Sequence, residues 1–349
     1  MKKFMAFIFA FFFIVFFMPI LLTSTKGKTN LNLNKNEVQN EVELNNESAE
    51  IQEYEKKEYE KYDYKKYGTI RLLHEKTGEI EELPIDEYLL GVVSSEMPAS
   101  FELEALRAQA VVARTYTIYQ IMHSNGKHGD ADICDNYACC QAWISKEDRL
   151  KRWDENEKEA NWNKITEAVN STSGKIITYN GEPIDAFFHS NSGGVTETAG
   201  NVWGGKNLPY LQCVEVSGEN NYEQFSSEVK LSREELLNKL KVKYPEVEIN
   251  FDEQNQINIE EYTESGRVKT IKFGNIRLAG TEVRSILGLK STNFKIEIDD
   301  SNIIFLVYGY GHGVGMSQTG ANSLAKQGKN YKEIIKHFYT GVEIVDEGY

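Results

Sequence analysis

The sequence predicts an α+β fold, with mixed sheets and helices in a membrane-tethered ectodomain and two lobes around an open cleft. Three observations carry this expectation. Segments with strand alternation and segments with helical spacing follow one another without a regular βαβ rhythm. Turn dipeptides at Thr77-Gly78 and Asn180-Gly181 join extended runs as hairpins. A charge-free apolar run stands ahead of both, close to the N-terminus.

That run comes first in order. After Lys2 and Lys3, residues 4–22 (FMAFIFAFFFIVFFMPILL) carry no charge. At ~1.5 Å per residue they just span a hydrocarbon core. The preceding lysines favour a cytoplasmic stub, residues 1–3, with everything after the anchor outside the cytoplasm. Residues 4–22 are thus expected as an uncleaved anchor in the cell membrane. A cleaved signal peptide is the alternative, but its apolar region is normally shorter, and "TSTKGK" is a poor cleavage site. Residues 23–66 are rich in Asn, Glu, Lys and Tyr and keep no apolar period, so they read as a flexible tether. The folded domain is expected over 67–349.

Within it, a strand from Gly68 turns at Thr77-Gly78 and returns as a second strand. Asp86 is expected to cap a short helix through Val93, and Ser100 to start a longer one reaching about Met122. Glu102 and Glu104 fall in its first turn, where the helix dipole favours anions. A Cys- and His-bearing loop spans 127–143, and 145–172 reads as one helix with a polar surface. "KIITYNGEPIDAFFHS" is a hairpin, followed by the loop "NSGGVTETAGNVWGG". A helix from Ser232, further strands, a helix within "LAGTEVRSILG" and the hairpin "NFKIEIDDSNIIFLVYGYGHG" come next. "SQTGANSLAKQGK" and "YKEIIKHFYT" supply the last helices.

The chain has 349 residues and a net charge of −14. That charge argues against nucleic acid as a partner, because phosphate binding needs a basic face. It leaves room for a mildly anionic polymer held by a few local cations.

Four stretches carry candidate chemistry. In "SSEMPASFELEALRAQAVVARTYT", Glu96 lies between apolar Val92-Val93 and Met97-Pro98. An acid in an apolar mouth has a raised pKa and can donate a proton near neutrality. On a helical wheel, Arg107 and Arg114 share a sector with Leu103, Val111 and Ile118. Half-buried guanidinium groups need partners. Either they line a cleft, orienting Glu96 or holding an anionic substrate, or they bond to loop carbonyls and structural acids.

In "AFFHSNSGGVTETAGNVWGG", an apolar strand leads into His189, Ser190 and Ser192, a setting in which a rigid strand positions a polar loop. It is not the G-x-S-x-G nucleophile elbow, and a plain capped turn is the alternative. In "YGYGHGVGMSQTGA", His312 sits among glycines and Ser317 and Gln318 stand at a helix start. As a dinucleotide fingerprint this fails, since Gln318 occupies the third glycine's place. Lastly, Cys134, Cys139 and Cys140 cluster after His123 and His128, with Cys213 apart. A zinc site of His128, Cys134, Cys140 and either Cys139 or His123 suits this spacing, and a disulfide is the alternative outside the cytoplasm. Four protein ligands would make the zinc structural, with no open position for catalysis.

Together with "LAGTEVRSILGLKSTNF", these stretches resemble stage II sporulation protein D, the SpoIID/LytB group of cell-wall proteins, over most of 67–349. The resemblance implies a lytic transglycosylase. Such an enzyme cleaves the β-1,4 bond between N-acetylmuramic acid and N-acetylglucosamine in peptide-stripped peptidoglycan and leaves 1,6-anhydro ends. The role implied is septal wall remodelling in engulfment, from the mother-cell side of the septum, beside a SpoIIP-like cell-wall amidase. The family's catalytic glutamate maps onto Glu96, and its cleft residues onto Arg107, Arg114, Tyr116, His189, Ser190, Ser192, Lys206, His312, Ser317 and Gln318. The His128, Cys134, Cys139 and Cys140 cluster is similar to the zinc site of clostridial members. A different expectation, carried by the family's other name of amidase enhancer, is a non-catalytic glycan-binding activator of an amidase. A peptidase or amidase using Ser192 or the zinc is the third.

Overall fold

The computed structural model describes residues 67–205 and 208–346. The anchor expected at 4–22, the tether at 23–66 and Lys206 lie outside the described residues. Among the described residues no helix is long and apolar enough to cross a membrane.

The expected first hairpin is present. Strands β1 (Thr69–His74) and β2 (Glu79–Pro84) pair antiparallel about Gly78, and short β3 (Ile133–Cys134) joins β1 in parallel. Helix α1 spans Ile85–Glu96, three residues beyond the expected end at Val93, so Glu96 closes the helix. Its N-cap is Pro84; Asp86 sits in the first turn. Helix α2 (Leu103–Met122) starts at Glu102, not Ser100. Except for Arg107, every residue from Ala105 to Ile118 is buried, so α2 is the axis of the larger core.

The stretch expected as one helix over 145–172 is two: α3 (Lys146–Arg152), capped by the Ser145 hydroxyl, and α4 (Lys158–Asn170). Trp153 is extended and ends the first. The hairpin at Asn180-Gly181 forms between β4 (Lys175–Tyr179) and β5 (Glu182–Pro183), with both turn residues at positive φ. Strand β6 (Phe188–His189) and helix α5 (Ala199–Trp203) follow.

Residues 226–308 then build a second core. Strands β7 (Ser226–Ser232), β8 (Ile257–Tyr262), β9 (Val268–Phe273), β10 (Ile276–Ala279), β11 (Asn293–Ile298) and β12 (Asn302–Tyr308) form two three-stranded sheets, ordered β11-β12-β7 and β10-β9-β8. Helices α6 (Arg233–Lys241) and α7 (Gly280–Leu287) pack on them through Leu236, Leu240, Val283 and Leu287. The chain enters and leaves this region at one point, where the Gly309 amide donates to the Phe225 carbonyl at 2.7 Å. Beyond it, β13 (Met316–Ser317) pairs with β6 in parallel, and α8 (Gln318–Lys326), α9 (Tyr331–Phe338) and β14 (Glu343–Asp346) return to the larger core. The fold is α+β, as expected, and both cores belong to one compact unit.

Candidate active site

Glu96 ends α1, where the carbonyl end of the helix dipole disfavours a carboxylate. Two donors hold it: the Ala142 amide at 2.8 Å on Oε1 and Gln318 Nε2 at 3.2 Å on Oε2. Burial raises its pKa above the ordinary glutamate value, and these two bonds oppose the rise without reversing it. This is the direction that the apolar flanks Val93 and Met97 predict.

Two open hollows meet at this residue. One, of about 460 Å³, is bordered by Phe101, Arg149, Trp153 and Asn161. The other, of about 950 Å³, is bordered by Tyr116, Trp203, Arg284, Tyr310 and His312. Glu96, Ser190 and Gln318 line both. A single trough therefore passes the acid on either side, a shape suited to a chain rather than a small molecule.

Of the residues read from the sequence, Glu96, Tyr116, His189, Ser190, His312 and Gln318 all line the larger hollow. Gln318 gets there because Ser317 caps α8, its hydroxyl accepting from the Gly320 amide at 3.2 Å, which leaves the next side chain free to reach Glu96. His189 and His312 stand with ring centres 5.6 Å apart. His189 Nδ1 donates to the Val314 carbonyl at 3.1 Å, and burial holds its pKa well below the usual imidazole value. The ring is thus neutral, and Nε2 is a buried lone pair without a partner among the described residues. His312 Nδ1 instead accepts from the Val314 amide at 3.1 Å, and burial brings its pKa down to about 3. Trp203, about half exposed, packs 4.5 Å from Phe187 and 5.1 Å from His312, giving the trough an aromatic wall.

Four expected cleft residues are elsewhere. Arg114 is fully buried: it donates to Asp86 at 2.8 Å and to the Thr172 carbonyl at 2.9 Å, tying α1 to the end of α4. Arg107 binds Glu104, Glu167 Oε1 at 3.0 Å and the Ser171 hydroxyl at 3.0 Å. Both took the alternative of structural acids and carbonyls, because α2 is enclosed on nearly every side and its core face is not its cleft face. Ser192 and Ser317 are fully buried and donate to one carboxylate, Glu219. Glu219 also accepts from the Ser192 and Gly194 amides at 2.9 and 3.0 Å and from Thr319 Oγ1 at 3.1 Å. These serines fix the walls of the trough from behind, and a Ser192 nucleophile has no access to substrate.

Sequence reasoning missed Glu219, and it also missed Arg267. From β9's edge, Arg267 donates to the Ser192 carbonyl at 2.6 Å and the Val195 carbonyl at 3.2 Å, so the second core grips the loop after His189. A Cβ at Gly313 would stand 2.5 Å from this guanidinium, and φ there is +86°, so only glycine fits. Arg284, Arg149 and Trp153 were missed as well. Arg284 stands in a quoted motif, but only the folded arrangement turns it to the trough.

The His/Cys cluster assembles as His128, Cys134, Cys139 and Cys140, with ligand atoms all within 4.8 Å of one another. Cys140 Sγ lies 3.3 Å from His128 Nε2 and 3.8 Å from Cys139 Sγ. Tetrahedral zinc with ~2.3 Å sulfur bonds needs an edge of about 3.8 Å, so the donor set fits. All four cysteines are free thiols; Cys213 is remote from the cluster, beside Glu197. His123 is not part of it, stacking on Tyr119 with centroids 4.0 Å apart. Cys139 and Cys140 border the larger hollow, and the next residue, Gln141, is pinned to Tyr88 and Thr117. Ala142 then delivers its amide to Glu96.

A family model described as stage II sporulation protein (SpoIID) matches residues 73–179. Stage II sporulation protein D of Bacillus subtilis is 38% identical over 268 residues, 76% of this chain and 75% of that protein. Its counterpart in Bacillus amyloliquefaciens is 37% identical over 266 residues, with the same coverage of 76% and 75%. The chain belongs to the stage II sporulation protein D family. As a SpoIID-family sporulation protein it is also similar to the amidase enhancer of Bacillus subtilis, 28% identical over 308 residues, covering 73% of this chain and 40% of that one.

Proposed function

We propose that this SpoIID-family protein is a peptidoglycan lytic transglycosylase in which Glu96 is both acid and base. The observation that carries the reading is a carboxyl with a raised pKa where two open hollows meet. Protonated Glu96 donates to the glycosidic oxygen between N-acetylmuramic acid and N-acetylglucosamine as the C1–O bond breaks. The sugar's C6 hydroxyl closes on the anomeric carbon, and its proton passes to the Glu96 carboxylate. The product carries a 1,6-anhydro end, no water is consumed, and the acid is restored.

Within the larger hollow the surroundings favour this over hydrolysis. A hydrolytic pair needs one carboxylate held ionised next to the acid. The other carboxyl bordering the larger hollow, Asp185, is raised by burial to about 7, so it is a poor partner of that kind. General acid–base help of this sort contributes typically ~10²–10⁴ in rate. Orientation along the trough must supply the rest, with Trp203 and Tyr116 as faces for sugar rings. Zinc at His128, Cys134, Cys139 and Cys140 would supply a cross-link in the segment that carries the Ala142 amide.

The proposal extends to place of action. Residues 4–22 tether the domain to the membrane, with 67–349 acting outside the cytoplasm, on septal wall and beside a cell-wall amidase. Protease added to intact protoplasts should remove the domain and leave the stub; protection of the domain would argue for the opposite orientation.

The deciding experiment incubates the protein with peptide-free glycan strands and weighs the products. Anhydro ends support the reading. Products one water heavier mean hydrolysis. Unchanged strands favour the second reading, a glycan-binding activator of an amidase, which the likeness to a protein named amidase enhancer supports.

A further inference from the structure

Arg71, Arg107, Arg114, Arg233 and Arg277 each have a carboxylate within ion-pair distance. Four arginines, Arg149, Arg152, Arg267 and Arg284, make no ion pair among the described residues, and three of them are otherwise accommodated: Arg149 over the Trp153 ring, Arg267 on loop carbonyls, and Arg152 in solvent. Arg284 is the fourth: among the described residues it makes neither an ion pair nor a hydrogen bond with a side chain, although it is half-buried in the wall of the larger hollow. Val283 and Leu287 anchor α7 in the second core on either side of it, so the helix is rigidly based while the guanidinium borders the trough.

An arginine taken partly out of water without a counter-charge is costly unless something else meets it. The groups facing Arg284 do not. Tyr310, a phenol, is the favourable one, while Arg267 lies behind as a second cation and His189 and His312 are neutral rings. Burial pulls the Arg284 pKa below its ordinary value, and no acid repays it. Glu96 and Asp185 border the same hollow, and neither is in contact with it. This end of the trough is thus locally positive on a chain whose net charge is −14.

The other side of Glu96 lacks this character. Arg149 lies over the Trp153 ring at 4.7 Å, and exposed Glu157 lines the same hollow.

We propose that Arg284, with Tyr310 beside it, is the carboxylate subsite of the trough and binds the free lactyl group of an N-acetylmuramic acid residue. The assignment rests on the transglycosylase reading above for the identity of the polymer. A guanidinium presents paired N–H donors that match the two oxygens of a carboxylate. The lactyl carboxylate exists only where the stem peptide has been removed, since the peptide converts it to a neutral amide. Arg284 would therefore read the strand's history: free acid is bound, amide leaves the cation unpaired. It takes the role that the sequence suggested for Arg107 and Arg114, which the fold commits elsewhere.

The test uses the full-length chain in detergent and two strand preparations: peptide-free glycan, and the same glycan with its lactyl carboxylates converted to methylamides. For the wild type, cleavage measured as kcat/KM should be roughly tenfold to hundredfold lower on the amidated strands, the scale of one charge-assisted hydrogen-bonded pair. Arg284→Gln should fall to that lower rate on free-acid strands and treat both preparations alike. Arg284→Lys, which keeps charge without the fork, should discriminate less than wild type and more than Gln. Equal wild-type rates on both strands, or a wild-type ratio retained in both variants, overturns the proposal. Co-sedimentation of the Glu96→Gln chain with each strand type, with and without Arg284→Gln, reads the same ratio from binding. A chain that cleaves neither preparation but still sediments selectively with free-acid strands through Arg284 defeats the transglycosylase reading and leaves the subsite standing.

Discussion

Glu96 and Glu197 are two acids withdrawn from water in one protein, and the fold treats them oppositely. Glu197, 1% exposed, accepts from the Thr198 amide at 2.7 Å, Asn201 at 2.9 Å, Thr263 at 2.6 Å and Ser265 at 2.7 Å. Burial pushes its pKa up, but the four donors together pull it below the ordinary value. Glu96 has two donors, one of them at 3.2 Å, and burial prevails. The difference teaches what separates an anchor from a proton donor. Burial alone makes neither; in this pair, the acid with more donors set against its burial is the one that keeps its charge.

The sharpest way to break this comparison is to remove each charge in turn. Glu96→Gln should lower glycan cleavage by ~10²–10⁴ while leaving the melting temperature unchanged or higher, because a carboxyl the fold dislikes is gone. Glu197→Gln should do the reverse. Its amide cannot accept all four bonds, so stability should fall by about 3 kcal/mol, read as a drop of several degrees in Tm. If Glu96→Gln retained full activity, the proton donor would have been misassigned.

Acid titration sharpens the same contrast, with opposite signs. A raised carboxyl such as Glu96 is fully accommodated below the unfolded glutamate pKa. Its stability contribution is lost as pH rises through the higher folded value. Glu197, depressed, contributes above the unfolded pKa and loses that contribution as pH falls through its lower folded value. Melting curves against pH should therefore flatten on the alkaline side of the carboxylate range in Glu96→Gln and on the acid side in Glu197→Gln. Matching changes in both variants would mean the two environments do not differ as their donors imply.

A smaller effect concerns one of Glu96's two donors. The Ala142 amide reaches the acid from a segment held by the His128, Cys134, Cys139 and Cys140 cluster. Cys134→Ser should abolish bound zinc, measured per chain by mass spectrometry of the metal, and reduce cleavage by less than Glu96→Gln does. Unchanged zinc content would mean these thiols hold no metal.

Glu96's character was legible in the sequence because its causes are neighbours: Val92, Val93, Met97 and Pro98 lie within four residues of it. The hairpins at Thr77-Gly78 and Asn180-Gly181 and the helices at 318–326 and 331–338 were legible for the same local reason. Glu219 was not. It serves Ser192 and Ser317 from 27 and 98 residues away, in a loop whose sequence, "VSGENN", carries no signal of burial. Helical periodicity gave the inner side of α2 correctly at Arg114, but in a helix enclosed nearly all round that side is not the trough. Arg284 reaches the trough only because residues 226–308 build a second core against it, an arrangement no local pattern encodes.

The smallest effect is expected at Arg107. The rule drawn from the glutamates, that partners decide the role, applies to cations too, and Arg107 has partners in plenty: Glu104, Glu167 and Ser171. Its side chain is 23% exposed and Glu167's is 57%, so solvent screens much of the pairing. Arg107→Gln should cost no more than ~1 kcal/mol of stability and leave cleavage of peptide-free strands at the wild-type rate. Arg114 is the contrasting case on the same helix. It is enclosed and bonded to Asp86, and its loss should be felt in folding at about 3–5 kcal/mol. A tenfold loss of cleavage in Arg107→Gln at unchanged Tm would return that residue to the substrate, and would show that its ion pairs open when a glycan strand is bound.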